Sequence, residues 1–456
     1  MKINIEIVEQ KSITQNDGRK NFGEVFTPNI LVEEMLNTLP SEVWSNPNLK
    51  WLDPAAGNGN FFAAAFNRLM IGLKDFENND SLRAKHILES MLFFVELQDK
   101  NSSNIKEIFN KNNEYKLNLF EGDFYQYTAM EFGFFDIVLG NPPYQDTMQN
   151  EGRKAKNHNL WSFFIEKGFE LLKPNGYLLY ITPPAWMSPS SNVLKSIFLK
   201  HQIHYINLEK CNIYFQGIGS KFSYYLVQKK AITTPTVFDY KFIGNSRLQK
   251  EESKAEVLLN SSIKFIPQLP SNLAFNILEK TVFSNLPKLL IQYDSDLHRF
   301  TKKELLSEIE TSVFKYKIIH TPSQHLWSLR PHKNFGLIKV FIPLTTYYED
   351  IIIDTCGNTQ GMGYIISKTN QEAELLKKLL LSKLFIFIAN ITRWSNFNVP
   401  EVMKLLPSIN NLNVEINDEF VYQFFKLNKK EIIYIENLVK EFKLKKSNQL
   451  ELEIAI

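Results

Sequence analysis

The amino-acid sequence predicts an α/β protein organised around one doubly wound sheet of seven strands. Short apolar runs alternate with helical patterns from residue 27 to residue 230, as in parallel sheets that carry helices on both faces. Several of these runs are apolar without alternation, which is expected of strands buried on both sides. The first four strands each end in a polar or glycine-bearing segment, and open α/β sheets bind their ligands at such ends.

The first of these helices begins at Thr27-Pro28, with Thr27 as the N-cap and Pro28 at the first helical position. Trp51 and Leu52 end the first strand, and a loop of small residues leads into a helix over residues 61–70. Further helices are expected over residues 160–172 and 191–201. The other six strands are predicted at residues 91–95, 117–120, 134–140, 177–181, 204–208 and 221–227.

The fourth strand is followed by Asn141-Pro142-Pro143-Tyr144. The prolines stiffen the backbone and donate no N–H, so the side-chain oxygen of Asn141 and the carbonyl of Pro142 remain as acceptors beside the ring of Tyr144. Two acceptors and an aromatic face suit an exocyclic NH2 group on a flat ring. Asn-Pro-Pro is also a good turn, so the tetrapeptide alone leaves an ordinary turn as an alternative.

The loops after the first three strands carry residue types that suit a nucleoside-bearing cofactor. Gly57 and Gly59 let the backbone approach a ligand closely, and Glu96 can accept hydrogen bonds from two ribose hydroxyls. Asp123 can accept from a purine amino group, with Phe124 packing on the ring. A tight turn, a solvated acid and a turn aspartate are the respective alternatives. Gly-x-Gly-x-x-Gly is not matched, because Phe62 occupies the third glycine position, and this counts against a dinucleotide.

Composition excludes several classes of protein. The only cysteines are Cys211 and Cys356, so no disulfide framework, no cysteine-rich metal site and no metal are expected. No apolar run approaches the ~18 residues that span a bilayer, and the first residues lack the layout of a signal peptide. We therefore expect a cytoplasmic protein without membrane association.

The two halves of the chain differ in charge. Residues 1–230 contain 24 Lys and Arg against 25 Asp and Glu, or −1, and residues 231–456 contain 28 against 24, or +4. Residues 311–346 contain no Asp or Glu. A polyanion contact is predicted there, and a solvated domain surface is the alternative. The cations of this acid-free segment are Lys315, Lys317, Arg330, Lys333 and Lys339.

The motifs occur in an order and spacing that resemble the S-adenosylmethionine-dependent DNA adenine-N6 methyltransferases of restriction–modification systems. The resemblance is to the gamma arrangement, in which the cofactor motifs precede the catalytic one and target recognition comes last. It covers residues 20–230 well and continues more loosely beyond them. The residues that carry it are Gly23–Pro28, Asp53–Phe61, Glu96, Asp123-Phe124 and Asn141–Tyr144.

The resemblance implies a Rossmann-like class I methyltransferase fold. A catalytic domain would comprise residues 1–232, and a mixed α/β target recognition domain would comprise residues 233–456. Asn141, Pro142 and Tyr144 would be catalytic. The residues implied to bind S-adenosylmethionine are Thr27, Asp53, Gly57 and Gly59 at the methionine end, Glu96 at the ribose, and Asp123 and Phe124 at the adenine moiety.

The substrate implied by the resemblance is an adenine flipped out of double-stranded DNA. Phe164 and Phe215 would contact this base, although both are also explained as core aromatics. Arg330 and Lys333 would contact DNA. About twenty residues precede the cofactor motifs, and the sequence has no convincing Pro-Asp…Glu-x-Lys arrangement, so we expect modification without cleavage and a separate cognate restriction endonuclease, if there is one. A monomer is also expected.

Three other functions remain open at this point. Protein glutamine N5-methyltransferases also use Asn-Pro-Pro-Tyr, because a carboxamide NH2 poses the same chemical problem, but they lack a large C-terminal half. An RNA base methyltransferase is the second alternative. A DNA-binding specificity subunit is the third, and it would not need Glu96, Asp123 and Asn141 together.

Overall fold

The contacts of the chain divide it into two compact units in the computed structural model. The first comprises Met1–Trp186, Ser191–Lys241 and Ser253–Ser261, and the second comprises Met187–Ser190, Phe242–Glu252 and Ser262–Ile456. The predicted catalytic and DNA-binding domains, with a boundary after residue 232, remain a proposal. The residues that the structure describes are 2–13, 26–144, 160–215, 221–293, 295–344, 350–394, 398–409 and 415–440.

A nine-stranded sheet forms the centre of the first unit, in the order β3-β2-β1-β4-β5-β7-β6-β8-β9. The seven predicted strands are all present, and β8 and β9 extend the sheet beyond them. The strands are β1 Trp51–Asp53, β2 Leu92–Glu96, β3 Asn118–Glu121, β4 Phe135–Gly140, β5 Leu172–Thr182, β6 Gln202–Leu208, β7 Ser223–Gln228, β8 Thr236–Phe242 and β9 Glu251–Val257.

The order of the strands creates a topological switch point at β1. This strand pairs in parallel with β2 on one side and with β4 on the other, so the chain builds outward in both directions from it. β1 and β2 are buried along their whole length, as the uniform apolar runs predict for strands covered on both faces. Ligands of open α/β sheets bind at the carboxyl ends of the strands beside such a point.

Helices that flank the sheet begin where the sequence supplies suitable caps. Asn79 accepts hydrogen bonds from two backbone N–H groups at the start of its helix, and Thr128 forms a capping box with Glu131. The α-helices of the first unit are Ile5–Ile13, Asn29–Leu36, Asn60–Gly72, Asp80–His86, Asp99–Asn110, Ala129–Phe132 and Leu160–Glu170.

The structure corrects two local predictions. The helix predicted from residue 27 begins at Asn29, and its N-cap is Pro28 without a side-chain hydrogen bond. The helix expected over residues 191–201 is shorter and covers residues 192–198, of which Leu194–Phe198 form one wide turn. Residues 233–235 lead directly into β8, and the Gln202 side chain accepts from the N–H groups of Thr233 and Thr234.

Two smaller sheets belong to the second unit, in the orders β10-β12-β11-β15 and β14-β13-β16. Their strands are too short and irregular to be recognised in the sequence. They are β10 Leu306–Ser307, β11 Tyr316–Thr321, β12 Gln324–Ser328, β13 Lys339–Pro343, β14 Ile352–Asp354, β15 Gly357–Asn358 and β16 Met362–Ile366. The helices of this unit are Asn272–Lys280, Asn370–Leu380, Lys383–Ile391, Pro400–Met403, Asp418–Phe424 and Lys429–Leu438.

None of the helices in the described ranges is both long and apolar enough to cross a lipid bilayer.

Candidate active site

Asp53 lies at the carboxyl end of β1 and is almost completely buried. Burial raises the pKa of this carboxyl to about 8. The Ala55 N–H lowers the pKa in part, and the nearby charge of Glu96 raises it further. Among the described residues Asp53 has no ion-pair partner, so its charged form is poorly stabilised in the unliganded protein. A cationic ligand would supply the missing charge.

The loop after β1 requires two glycines. Gly57 has a φ of +53° and Gly59 a φ of +85°, a backbone conformation that favours glycine. A Cβ on Gly59 would lie 2.7 Å from the ring of Phe109, so the loop also packs too closely for a side chain there. The helix from Asn60 begins at this loop, and its first N–H groups therefore lie next to the candidate site.

Glu96 ties the glycine loop to the end of β2. One carboxylate oxygen accepts from the Gly57 N–H at 2.7 Å, and the other accepts from the Gln98 N–H at 2.8 Å and the Asn101 side chain at 3.3 Å. The Glu96 carbonyl also accepts from the Gly122 N–H at 2.9 Å, which connects it to the turn after β3. Gln98 and Asn101 are positioning residues that the sequence did not indicate.

The turn after β3 presents Phe124 and is closed by Asp123, whose side chain accepts from the Tyr125 N–H at 2.9 Å. The buried ring of Phe124 stacks on Phe164, with centroids 5.0 Å apart and an interplanar angle of 27°. Thus Phe124, predicted to contact the cofactor's adenine, and Phe164, predicted to contact the target base, belong to one aromatic stack.

Lys167 fixes this turn from the helix Leu160–Glu170. Its ammonium group donates to the carbonyls of Phe124 and Tyr125 and lies 4.8 Å from the centroid of the Phe124 ring. Desolvation lowers the pKa of Lys167. The sequence did not point to this residue, because a lysine in an amphipathic helix usually faces solvent.

Asn141 follows β4 directly beside Asp53. The Asn141 side chain donates to the Thr27 hydroxyl at 2.9 Å, and this contact explains why Thr27 does not cap its helix. Gly140 has a φ of +146°, and a Cβ there would lie 2.7 Å from an oxygen of Asp53. Asn141, which is predicted to accept a hydrogen bond from the amine, therefore lies at the same point of the sheet edge as Thr27 and Asp53, which are predicted to bind the cofactor.

Tyr144 does not extend into solvent. Its hydroxyl donates to the side-chain oxygen of Asn141, and its ring packs against Phe222 with centroids 5.3 Å apart. Burial raises the pKa of the phenol well above its usual value. The ring of Phe215 also packs against Phe222, with centroids 4.4 Å apart. The predicted base-contacting residues Tyr144 and Phe215 are thus joined through Phe222.

The predicted DNA-contacting residues lie in the second unit. Arg330 is about half exposed and forms an ion pair with Asp296 at 2.5 Å, and Lys333 is exposed. Lys317 pairs with Asp354 at 3.0 Å, and Lys339 is fully buried. The acid-free segment is therefore less cationic than its sequence suggests, because acids from outside the segment neutralise two of its positive charges.

The donor set of the first unit fits an aminoacyl nucleoside that carries positive charge. Asp53, a buried carboxylate with no ion-pair partner in the part of the chain that the structure describes, stands next to the glycine loop, and Glu96 contacts the same loop. The turn with Asp123 and Phe124 completes the same sheet edge. The described residues contain no group of three or more His, Cys, Asp and Glu side chains that could hold a metal ion.

Residues 59–214 match the family model of the Eco57I restriction-modification methylase. A curated relative from Mycoplasma pneumoniae, named an uncharacterized adenine-specific methylase, is 26% identical and aligns with 42% of this chain and 62% of its own length. These findings confirm the predicted resemblance to the adenine methyltransferases of restriction–modification systems. The chain spans less than two thirds of the length of the curated relatives it matches.

Two solved structures resemble the fold over most of the chain. The type IIL restriction-modification enzyme MmeI in complex with DNA aligns with a TM-score of 0.50 at 13% identity, covering 90% of this chain and 70% of MmeI. The DrdV–DNA complex aligns with a TM-score of 0.50 at 11% identity, covering 90% of this chain and 58% of DrdV. With the sheet order, they confirm the Rossmann-like class I methyltransferase fold.

Proposed function

We propose that this protein transfers a methyl group from S-adenosylmethionine to N6 of an adenine flipped out of double-stranded DNA. It would thereby be the modification component of a restriction–modification system. The observation that carries the proposal is the junction of Asp53, Thr27 and Asn141. There a buried carboxylate, which has no ion-pair partner within the described ranges, lies beside an amide oxygen that can accept a hydrogen bond. A cationic methyl donor and an amine that receives the methyl group need two adjacent sites of these kinds.

The cofactor would lie along the carboxyl ends of β1, β2 and β3. Asp53, with Thr27 and the loop of Gly57 and Gly59, would bind its charged methionine end, Glu96 its ribose, and Asp123 and Phe124 its adenine. When bound, S-adenosylmethionine supplies an electrophilic methyl group on a sulfonium.

Asn141 would activate the exocyclic nitrogen without acting as a base, and the surplus proton that N6 carries once it has accepted the methyl group would pass to solvent. The N6 lone pair is delocalised into the purine ring, and hydrogen bonds from N6 to the Asn141 oxygen and the Pro142 carbonyl would favour a pyramidal amine. Because the Asn141 amide is held by Thr27, its oxygen is directed before the base arrives. Preorganised acceptors and positioning would supply most of the acceleration.

Tyr144 would exchange one partner for another when the base enters. The Tyr144 hydroxyl donates a hydrogen bond to the Asn141 side-chain oxygen, and it would move away when N6 of the adenine donates to this oxygen. Its ring would then stack on the adenine, and Phe164 and Phe215 would line the remaining walls. Aromatic stacking of this kind offsets the few kcal/mol that extrusion of a base costs.

Asn141→Ala tests the catalytic assignment. The variant should bind S-adenosylmethionine as the parent does in isothermal titration calorimetry, while its production of N6-methyldeoxyadenosine, measured by mass spectrometry of digested DNA, should nearly vanish. Asn67→Ala is a suitable control, because the Asn67 side chain bonds to the backbone of Ile3, which is not among the residues of the candidate site. Near-normal methylation by Asn141→Ala would refute the assignment.

The same mass-spectrometric assay separates the alternatives. Incubation with duplex DNA, RNA and total protein should yield the methylated nucleoside from DNA alone. N6-methyladenosine from RNA, or N5-methylglutamine from protein, would favour the corresponding alternative function. We further propose that the enzyme is a cytoplasmic monomer and that its cognate endonuclease is a separate protein. Sedimentation and a cleavage assay with unmethylated DNA test the last two points.

A further inference from the structure

The turn formed by residues 333–337, here called the 333–337 turn, presents two apolar side chains to solvent in the second unit. Phe335 is 39% exposed and Leu337 is 46% exposed. Gly336 lies between them with a φ of +87°, and no atom would contact a Cβ at this position. The turn therefore projects from the surface with an apolar side chain on either side of its glycine.

A buried lysine holds the turn from below. Lys339 is fully buried, and its ammonium group donates to the carbonyls of Asn334, Leu337 and Thr355. The Gly336 N–H donates to the Thr355 carbonyl at 2.8 Å. Burial of a charge is costly unless it is hydrogen-bonded, so the three carbonyls and the ammonium group lock one another in place. A turn ordered in advance loses little entropy on binding.

Two exposed lysines lie near the apolar tip. Lys333 belongs to the turn, whereas Arg330, three residues before it, is paired with Asp296. Phe335 packs edge-on against Tyr316, with centroids 5.5 Å apart, and the Lys315 ammonium lies 5.5 Å from the centroid of the same tyrosine ring. Exposed positive charge around a rigid apolar tip complements duplex DNA, which presents phosphates outside and stacked bases within.

We infer that the 333–337 turn is a wedge that inserts Phe335 and Leu337 into duplex DNA, against the bases, while Lys333 and Lys315 contact the flanking phosphates. This inference rests on the proposed function, because it assumes a DNA substrate. It assigns separate roles to neighbouring residues. The apolar pair would open or fill the base stack, and the lysines would fix the register of the turn on the backbone.

Salt dependence distinguishes the two roles. The probe is a labelled duplex that carries the site identified by sequencing of DNA methylated by the enzyme. Phe335→Ala should weaken binding about tenfold at every salt concentration, because loss of one aromatic stacking contact typically costs this much, and the slope of log K against log salt should not change. Lys333→Ala should weaken binding and reduce that slope by about one.

Matched variants exclude a general effect of lost apolar surface. Leu290 is 80% exposed in the same unit, and Leu290→Ala should leave DNA affinity unchanged. Phe335→Leu should retain most of the affinity, since leucine also serves as a wedge. When 2-aminopurine is placed in turn at each step of the duplex, at least one position should fluoresce less on binding of Phe335→Ala than on binding of the parent, because the stack there is less disturbed.

Wild-type affinity of Phe335→Ala, or an equal loss in Leu290→Ala, would overturn the inference. A loss in Phe335→Ala that appears only with a protein partner would assign the turn to protein binding and would also overturn it. These outcomes leave the proposed function intact as long as the parent methylates duplex DNA. Absence of methylation by the parent would refute the function itself.

Discussion

Binding of the cofactor should release a proton from Asp53. Burial raises the pKa of this carboxyl to about 8 in the unliganded protein, so at pH 7 only about one molecule in eleven has it ionised. A ligand whose positive charge requires the carboxylate must expel the proton from the others. Between pH 6 and pH 7 the dissociation constant for S-adenosylmethionine should therefore fall about ninefold.

Isothermal titration calorimetry in buffers of different ionisation enthalpy measures this linkage directly. At pH 7 the parent should release about 0.9 protons for each cofactor bound. Asp53→Asn keeps an oxygen that can accept from the Ala55 N–H but cannot ionise, so its weaker binding should be independent of pH in this range. A flat profile for the parent, or an unchanged slope in Asp53→Asn, would refute the reasoning.

The same carboxyl also affects the stability of the free protein. Because its pKa in the folded protein lies above its ordinary value of 3.8, its favourable contribution to stability is complete below about pH 4 and is lost as the pH rises through about 8. The cost at higher pH is at most about 6 kcal/mol. Asp53→Asn removes this cost, so its melting temperature without cofactor at pH 8 should exceed that of the parent. A lower melting temperature would contradict the sign.

Substitutions at three further positions test the geometry of the site. Gly140→Ala places a Cβ 2.7 Å from an oxygen of Asp53 at a strained φ of +146°, so urea denaturation should show a loss of at least about 1–3 kcal/mol, and an unchanged midpoint would argue against the close approach. Tyr144→Phe keeps the ring but not the hydroxyl that bonds to Asn141, so its methylation rate should stay near that of the parent. Tyr144→Ala removes the stacking ring, so its methylation rate should fall about 10- to 100-fold. Equal rates for the two variants would exclude a stacking role. Lys167→Met should raise KM for S-adenosylmethionine severalfold with little change in kcat, and restoration by Lys167→Arg would separate positioning from a general loss of structure.

The sequence alone determined most of the first unit. Apolar runs such as residues 134–140 form strands because strands buried on both faces need apolar side chains throughout. The residues that follow them must then lie at the same sheet edge, since parallel strands point the same way. For this reason Glu96 and Asn141 could be named before the sheet was known, and the resemblance to the adenine methyltransferases added Asp53. The two added strands, β8 and β9, escaped notice because β9 is largely exposed and polar.

Tertiary structure alone decided which groups pair. Thr27 lies 114 residues from Asn141, and no local pattern predicts that its hydroxyl serves that amide instead of its own helix. Likewise Asp296 and Asp354, which lie outside the acid-free segment in the sequence, form ion pairs with Arg330 and Lys317. These two cations are therefore neutralised in the folded chain.

Burial is the other property that the chain does not reveal locally. Asp53 and Lys339 have the same side chains as any exposed aspartate or lysine, yet their environments displace their pKa values in opposite directions, to about 8 in both cases. Desolvation depends on every neighbour that excludes water, and those neighbours come from distant parts of the sequence. The sequence thus specified which chemical groups stand at the sheet edge, and the packing around them set their charge and their partners.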